Sequence, residues 1–99
     1  MPTSRADVPT DAPERYAKQL ASHLGRRLAV EEEGSSTRLR FDAAGARGSC
    51  LLTPAADALV LEADGEDDAA LARVEDVVGR HLERFGQRNE LAVRWERPG

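Results

Sequence analysis

Apolar positions recur at helical spacing in two stretches of the chain. At about 100° per residue, the residues after position 12 gather an apolar side, and so do the residues between positions 68 and 86. The first apolar side comprises Pro13, Tyr16, Ala17, Leu20 and Leu24, and the second comprises Leu71, Val74, Val77, Val78, Leu82 and Phe85. The pattern predicts two amphipathic helices.

Residues at the predicted helix ends favour the same two helices. Asp11 precedes Glu14 by three residues, which is typical of a capped helix start, and Gly25 is typical of a helix end. For the second helix, the sequence predicts Asp64 or Gly65 as the residue that caps the first turn.

Apolar and polar residues alternate in the remaining stretches, as they do in half-buried strands. Leu39 and Phe41, for example, alternate with Arg38 and Arg40. Gly34 lies where a hairpin turn is predicted, and residues 42–48 are a predicted loop. The predicted strands cover residues 3–9, 28–33, 37–41, 49–53, 59–63 and 91–97.

Together these elements predict an α+β fold in one domain over residues 1–99, in the order β-α-β-β-β-β-α-β. Because each strand has one apolar side, a mostly antiparallel sheet of about five to six strands would bury both helices on one face. The other face would stay polar and uncovered, with Arg38, Arg40 and Arg94 at its alternate positions.

Charge and composition narrow the classes of function. The net charge of −4 argues against a general affinity for nucleic acid or for an anionic membrane. One cysteine, Cys50, excludes an internal disulfide and a cysteine-based zinc site. No apolar run approaches the roughly 18 residues of a membrane span, and the first residues lack the apolar region of a secretory signal. We expect a cytoplasmic protein with no membrane partner and no cofactor.

His23 and His81 are the residues with the clearest chemical interest. His81 falls inside the apolar arc of the second helix, and His23 lies on the flank of the first, about 75° from its centre. If the helices pack side by side, the imidazoles converge and share a proton, a metal or an anionic ligand. Otherwise each is an edge residue whose polar atom meets solvent or a backbone carbonyl.

The sequence predicts no catalytic constellation and no complete metal site. Cys50 lies on a predicted strand with no histidine placed beside it, so a packed, inert thiol is expected. Gly79 falls on the polar side of the second helix, where a glycine costs about 1 kcal/mol relative to alanine. That position indicates either a close approach by another element, such as a partner chain, or simple tolerance.

Four segments resemble a bacterial family known as domain of unknown function number 2218, common in actinobacteria. They are VPTDAPERYAKQLASHLG (8–25), LTP (52–54), LARVEDVVGRHLERFG (71–86) and LAVRWER (91–97). The resemblance implies no established activity and no catalytic residues, although the family pattern includes His23 and His81. It also implies an association with siderophore-interacting proteins of iron acquisition.

We therefore expect a small, non-enzymatic binding or interaction module, accessory to iron–siderophore handling. Its partner would be another protein, or a second copy of the chain, on the open sheet face. The first alternative is a ligand- or metal-binding site, with or without catalysis, at His23 and His81. The second is nucleic-acid binding through the arginines of the sheet face, which requires a contiguous positive patch despite the acidic total.

Overall fold

In residues 2–43 and 46–98, which the computed structural model describes, the chain forms a five-stranded antiparallel sheet and two α-helices. The strands lie in the order β1-β5-β4-β3-β2. The α+β class predicted from the sequence is confirmed. In chain order the elements are β1 (Thr3–Pro9), α1 (Pro13–Leu24), β2 (Ala29–Glu33), β3 (Ser36–Ala43), β4 (Ala46–Pro54), β5 (Ala58–Gly65), α2 (Asp68–Phe85) and a 3-10 turn (Gln87–Asn89).

Both helices pack on the same face of the sheet. Alternate strand residues such as Leu39, Cys50 and Leu61 are fully buried and belong to one cluster with the apolar sides of the helices. The helices contact β4, β5 and each other. Burial of these apolar surfaces drives the packing, and it leaves the opposite face of the sheet uncovered.

The helix starts differ from the predicted ones in their capping residues. Asp11 does not cap α1; the Thr10 hydroxyl accepts a hydrogen bond from the Ala12 amide at 3.1 Å, and no side chain caps the helix. Asp67 caps α2 by accepting from the Ala70 amide at 2.7 Å. The predicted caps of α2, Asp64 and Gly65, belong to β5 because the pairing with β4 continues to that point.

The central strands β3, β4 and β5 are longer than the sequence pattern indicated. β3 continues to Ala43 and β4 begins at Ala46, so paired strands replace most of the predicted loop 42–48; residues 44 and 45 lie outside the described residues. Gly34 turns the β2–β3 hairpin with a positive φ of 66°, a conformation that glycine adopts without steric cost.

The predicted last strand, 91–97, does not form a ladder. One isolated bridge joins it to the edge of the sheet, where Arg5 and Glu96 exchange backbone hydrogen bonds of 2.9 and 2.8 Å. We call residues 91–98 the C-terminal segment. It runs antiparallel to α2, because the Val93 amide donates to Glu83 at 2.9 Å and Arg97 pairs with Glu75 at 2.8 Å. Its apolar side chains, Leu91, Val93 and Trp95, pack against the core.

Gly79 is buried beneath this segment. A Cβ atom there would lie 3.2 Å from Trp95 Nε1 and 3.7 Å from a Val93 methyl group. The close approach that Gly79 indicated is therefore made by the chain's own C-terminal segment and needs no partner chain. The sequence could not show this, because it placed residues 91–97 in the sheet.

Candidate functional site

The side-by-side helices bring His23 and His81 together. His23 is exposed in the last turn of α1, and His81 is half-buried on α2. Their ring centroids lie 5.1 Å apart, with the ring planes tilted by 45°. This convergence is what the ligand-site alternative required of the structure.

A backbone hydrogen bond orients His81. Its Nδ1 lies 2.6 Å from the Val77 carbonyl oxygen one turn earlier on α2. Because a carbonyl oxygen only accepts, Nδ1 carries the hydrogen, and in the neutral ring Nε2 keeps a free lone pair. Phe85 meets the edge of His23 at 79° with 5.4 Å between centroids, which limits the positions open to that ring.

Two arginines adjoin His81. Arg80, His81 and Arg84 border one surface depression of about 350 Å³. Arg80 pairs with Asp76 at 3.0 Å, whereas Arg84 makes no ion pair with any described residue. The sequence pattern did not mark these two arginines as site residues, although Arg84 lies three residues after His81 and four after Arg80, which are neighbouring positions on a helix surface.

Two histidines are the only metal-ligating side chains that this cluster brings together among the described residues. No group of three or more histidine, cysteine, aspartate or glutamate side chains with metal-binding geometry occurs in the described part of the chain. Cys50 contributes nothing here, because it is fully buried on β4 and burial raises the pKa of its thiol. The packed, unreactive cysteine expected from the sequence agrees with this position.

The predicted arginines of the open face are ion-paired where they lie on the sheet. Arg38 binds both carboxylate oxygens of Glu33, at 2.5 and 3.3 Å, and Arg40 binds Glu31 at 2.6 Å. The hydrogen bond from Arg38 holds the pKa of Glu33 below its ordinary value. Arg38 also donates to Ser49 Oγ at 2.8 Å, and Ser49 donates to Asp64 at 2.8 Å.

Acidic side chains outnumber arginines on the outward positions of the described strands. The register places Arg5, Arg38, Arg40 and Arg47 there, together with Asp7, Glu31, Glu33, Asp42, Glu62 and Asp64. The acids interleave with the arginines, so the described strands do not present the contiguous positive patch that nucleic-acid binding through this face would require.

Arg94 lies outside the paired strands of this face. It is exposed on the C-terminal segment, which pairs with the sheet only at Glu96. Arg94 is therefore not at an alternate position of a paired strand, because the alternation of residues 91–97 reflects packing along α2.

The fold and the site define a small α+β protein with an open sheet face and a histidine pair between its helices. The chain belongs to the family of uncharacterized proteins conserved in bacteria, DUF2218, whose model matches residues 5–96. The family resemblance noted from the sequence is thus confirmed.

Among solved structures, the chain is similar to PA4090 from Pseudomonas aeruginosa, solved by NMR. The two share 26% sequence identity and a TM-score of 0.77 over 97% of this chain and 96% of the other. No curated protein matches the chain. Within the described residues, neither helix is long and apolar enough to cross a membrane.

Proposed function

We propose that this chain is a small binding module that takes up a divalent transition-metal ion between His23 and His81. The observation that carries the proposal is the 5.1 Å separation of the two ring centroids. A zinc–nitrogen bond of about 2.0–2.1 Å places the ring centre about 3.2 Å from the metal. Two imidazoles at a tetrahedral angle on one ion then lie with their centroids about 5 Å apart.

The backbone contact of His81 supports the same proposal. Histidines that bind metals commonly donate their second ring N–H to a carbonyl or a carboxylate, which holds the ring and its tautomer. The bond between His81 Nδ1 and the Val77 carbonyl has this form, and it directs Nε2 to be the ligand atom. Imidazole ligands suit zinc, copper and nickel better than magnesium or calcium.

The experiment is calorimetric titration of the purified protein with Cu²⁺, Ni²⁺, Zn²⁺, Co²⁺ and Mg²⁺. We expect one ion per chain, the tightest binding for Cu²⁺ and no heat for Mg²⁺. His23→Gln and His81→Gln should each weaken Zn²⁺ binding at least tenfold, because either change removes one of two ligands. Lys18→Gln, on another side of α1, is the matched control and should leave the affinity unchanged. Wild-type affinity in both histidine variants would contradict a shared site.

A second candidate function is self-association through the open sheet face. Leu51 on β4 and Val60 on β5 are half-buried there, on adjoining strands. Around them lie charged side chains of both signs, including Arg38 and Glu62. An apolar centre with a polar rim is typical of a non-obligate interface, and a second copy of the chain related by a twofold axis would set the same patch against itself.

The finer expectations from the sequence stay predictions. They are the accessory role in iron–siderophore handling, the cytoplasmic location and the absence of catalysis. Metal binding at the histidine pair is compatible with an accessory role in metal handling, because such a role needs a site and no reaction.

A further inference from the structure

A metal ion bound by His23 and His81 alone would be coordinatively unsaturated. Zinc in proteins is almost always four-coordinate, and a site with fewer protein ligands keeps open positions for water or an external ligand. The described residues supply no third ligand from the common metal-binding side chains.

The surroundings of His81 are cationic. Arg80 and Arg84 stand one turn apart on α2 and border the same depression as His81. Arg84 is exposed and without an ion pair among the described residues, and Arg80 shares its charge with Asp76 in a contact that leaves it 78% exposed. The positive charges of Arg80 and Arg84 offer no attraction to a further cation, whereas they would attract an anion bound to the metal.

The geometry points to an oxygen-donor anion, carboxylate or phosphate, that completes the coordination of the metal at His23 and His81 and is held by Arg84 with the help of Arg80. This inference rests on the proposed metal site. Arginine suits the role because its planar guanidinium forms paired hydrogen bonds with the oxygens of carboxylates and phosphates. The overall charge of −4 offers no general attraction for anions, so binding would depend on this local group.

The test uses the Co²⁺-loaded protein, because the visible absorption of Co²⁺ changes when a ligand enters its coordination sphere. Acetate and inorganic phosphate are titrated separately, and the same titrations are followed by calorimetry with and without metal. We expect saturable binding of one or both anions to the loaded protein only, with a changed Co²⁺ spectrum. The two probes distinguish a carboxylate from a phosphate source.

Arg84→Gln should weaken anion binding at least tenfold while leaving Co²⁺ binding intact or stronger, since it removes a positive charge beside the ion. Arg73→Gln is the matched control. Arg73 is an exposed arginine on the same side of α2, about 16 Å away along the helix axis, and it makes no ion pair among the described residues. Its replacement should change neither affinity.

The outcomes separate this inference from the proposed function. Metal binding without any effect of either anion would overturn the inference and leave the metal site standing. Anion binding by the metal-free protein, with no metal uptake, would overturn both. Equal losses in the Arg84 and Arg73 variants would show a nonspecific charge effect, and the anion site would then be wrong.

Discussion

At the scale of single residues, Cys50 shows how burial changes chemistry. The thiol is fully enclosed on β4 between the sheet and the helices. Desolvation raises its pKa well above the ordinary value of about 8.5, because the thiolate has no water there. In the unfolded chain the same thiol is free to ionise, so the folded and unfolded states differ in proton uptake at alkaline pH.

This difference predicts that Cys50 destabilises the protein at high pH. This destabilising contribution of Cys50 is absent below about 8.5, the pKa of the thiol in the unfolded chain, because both states hold the proton there. Above it the unfolded state loses the proton first, so the free energy of unfolding falls by up to about 1.4 kcal/mol per pH unit. Urea unfolding at pH 7, 9 and 10 measures the loss. Cys50→Ala should reduce this slope; equal slopes in both proteins would disprove the linkage.

His23 and His81 illustrate what a residue pattern can and cannot tell. The helical angles predicted that the two imidazoles would face each other if the helices packed side by side. The helices do pack side by side. The angles could not give the 5.1 Å separation or the carbonyl contact of His81, because both depend on how the helices pack. The arginines beside His81 were visible in the sequence but looked like an ordinary solvated surface.

At the scale of elements, the C-terminal segment depends on Gly79. Trp95 lies over this glycine, so a methyl group there would press on the indole at 3.2 Å. An alanine would otherwise favour the helix by about 1 kcal/mol. The two effects oppose each other in the native protein, and they can be separated by removing the indole.

We therefore predict that the effect of Gly79→Ala depends on Trp95. In the wild-type background the substitution should change the free energy of unfolding little or lower it. In a Trp95→Ala background it should stabilise by up to about 1 kcal/mol, because only the helix preference remains. Urea unfolding of the four proteins provides the cycle. The same effect in both backgrounds would mean that the segment does not rest on this glycine.

At the scale of the whole molecule, the uncovered sheet face is the surface through which we propose self-association as the second candidate function. Two copies that meet there would bury Leu51 and Val60 against each other. Sedimentation equilibrium should then show a reversible dimer whose affinity falls in Leu51→Ser. Val30→Ser is the matched control, since Val30 is an exposed apolar residue on the helix-facing side of β2. A strictly monomeric wild-type protein at high concentration would remove this candidate.

The amino-acid pattern was sufficient to predict both helices, the five strands, the apolar face that each presents and the α+β class, but not the order of the strands. It could do so because alternation and helical spacing are local properties, and each such surface must be buried. The pattern assigned the C-terminal segment to a strand incorrectly, because alternation looks the same whether a chain packs on a sheet or along a helix. Packing in three dimensions set the helix crossing that brings His23 beside His81, the ion pairs of Arg38 and Arg40, and the contact between Gly79 and Trp95. Each of these contacts depends on how the strands pair or on how the helices and the C-terminal segment pack, and local spacing does not fix either.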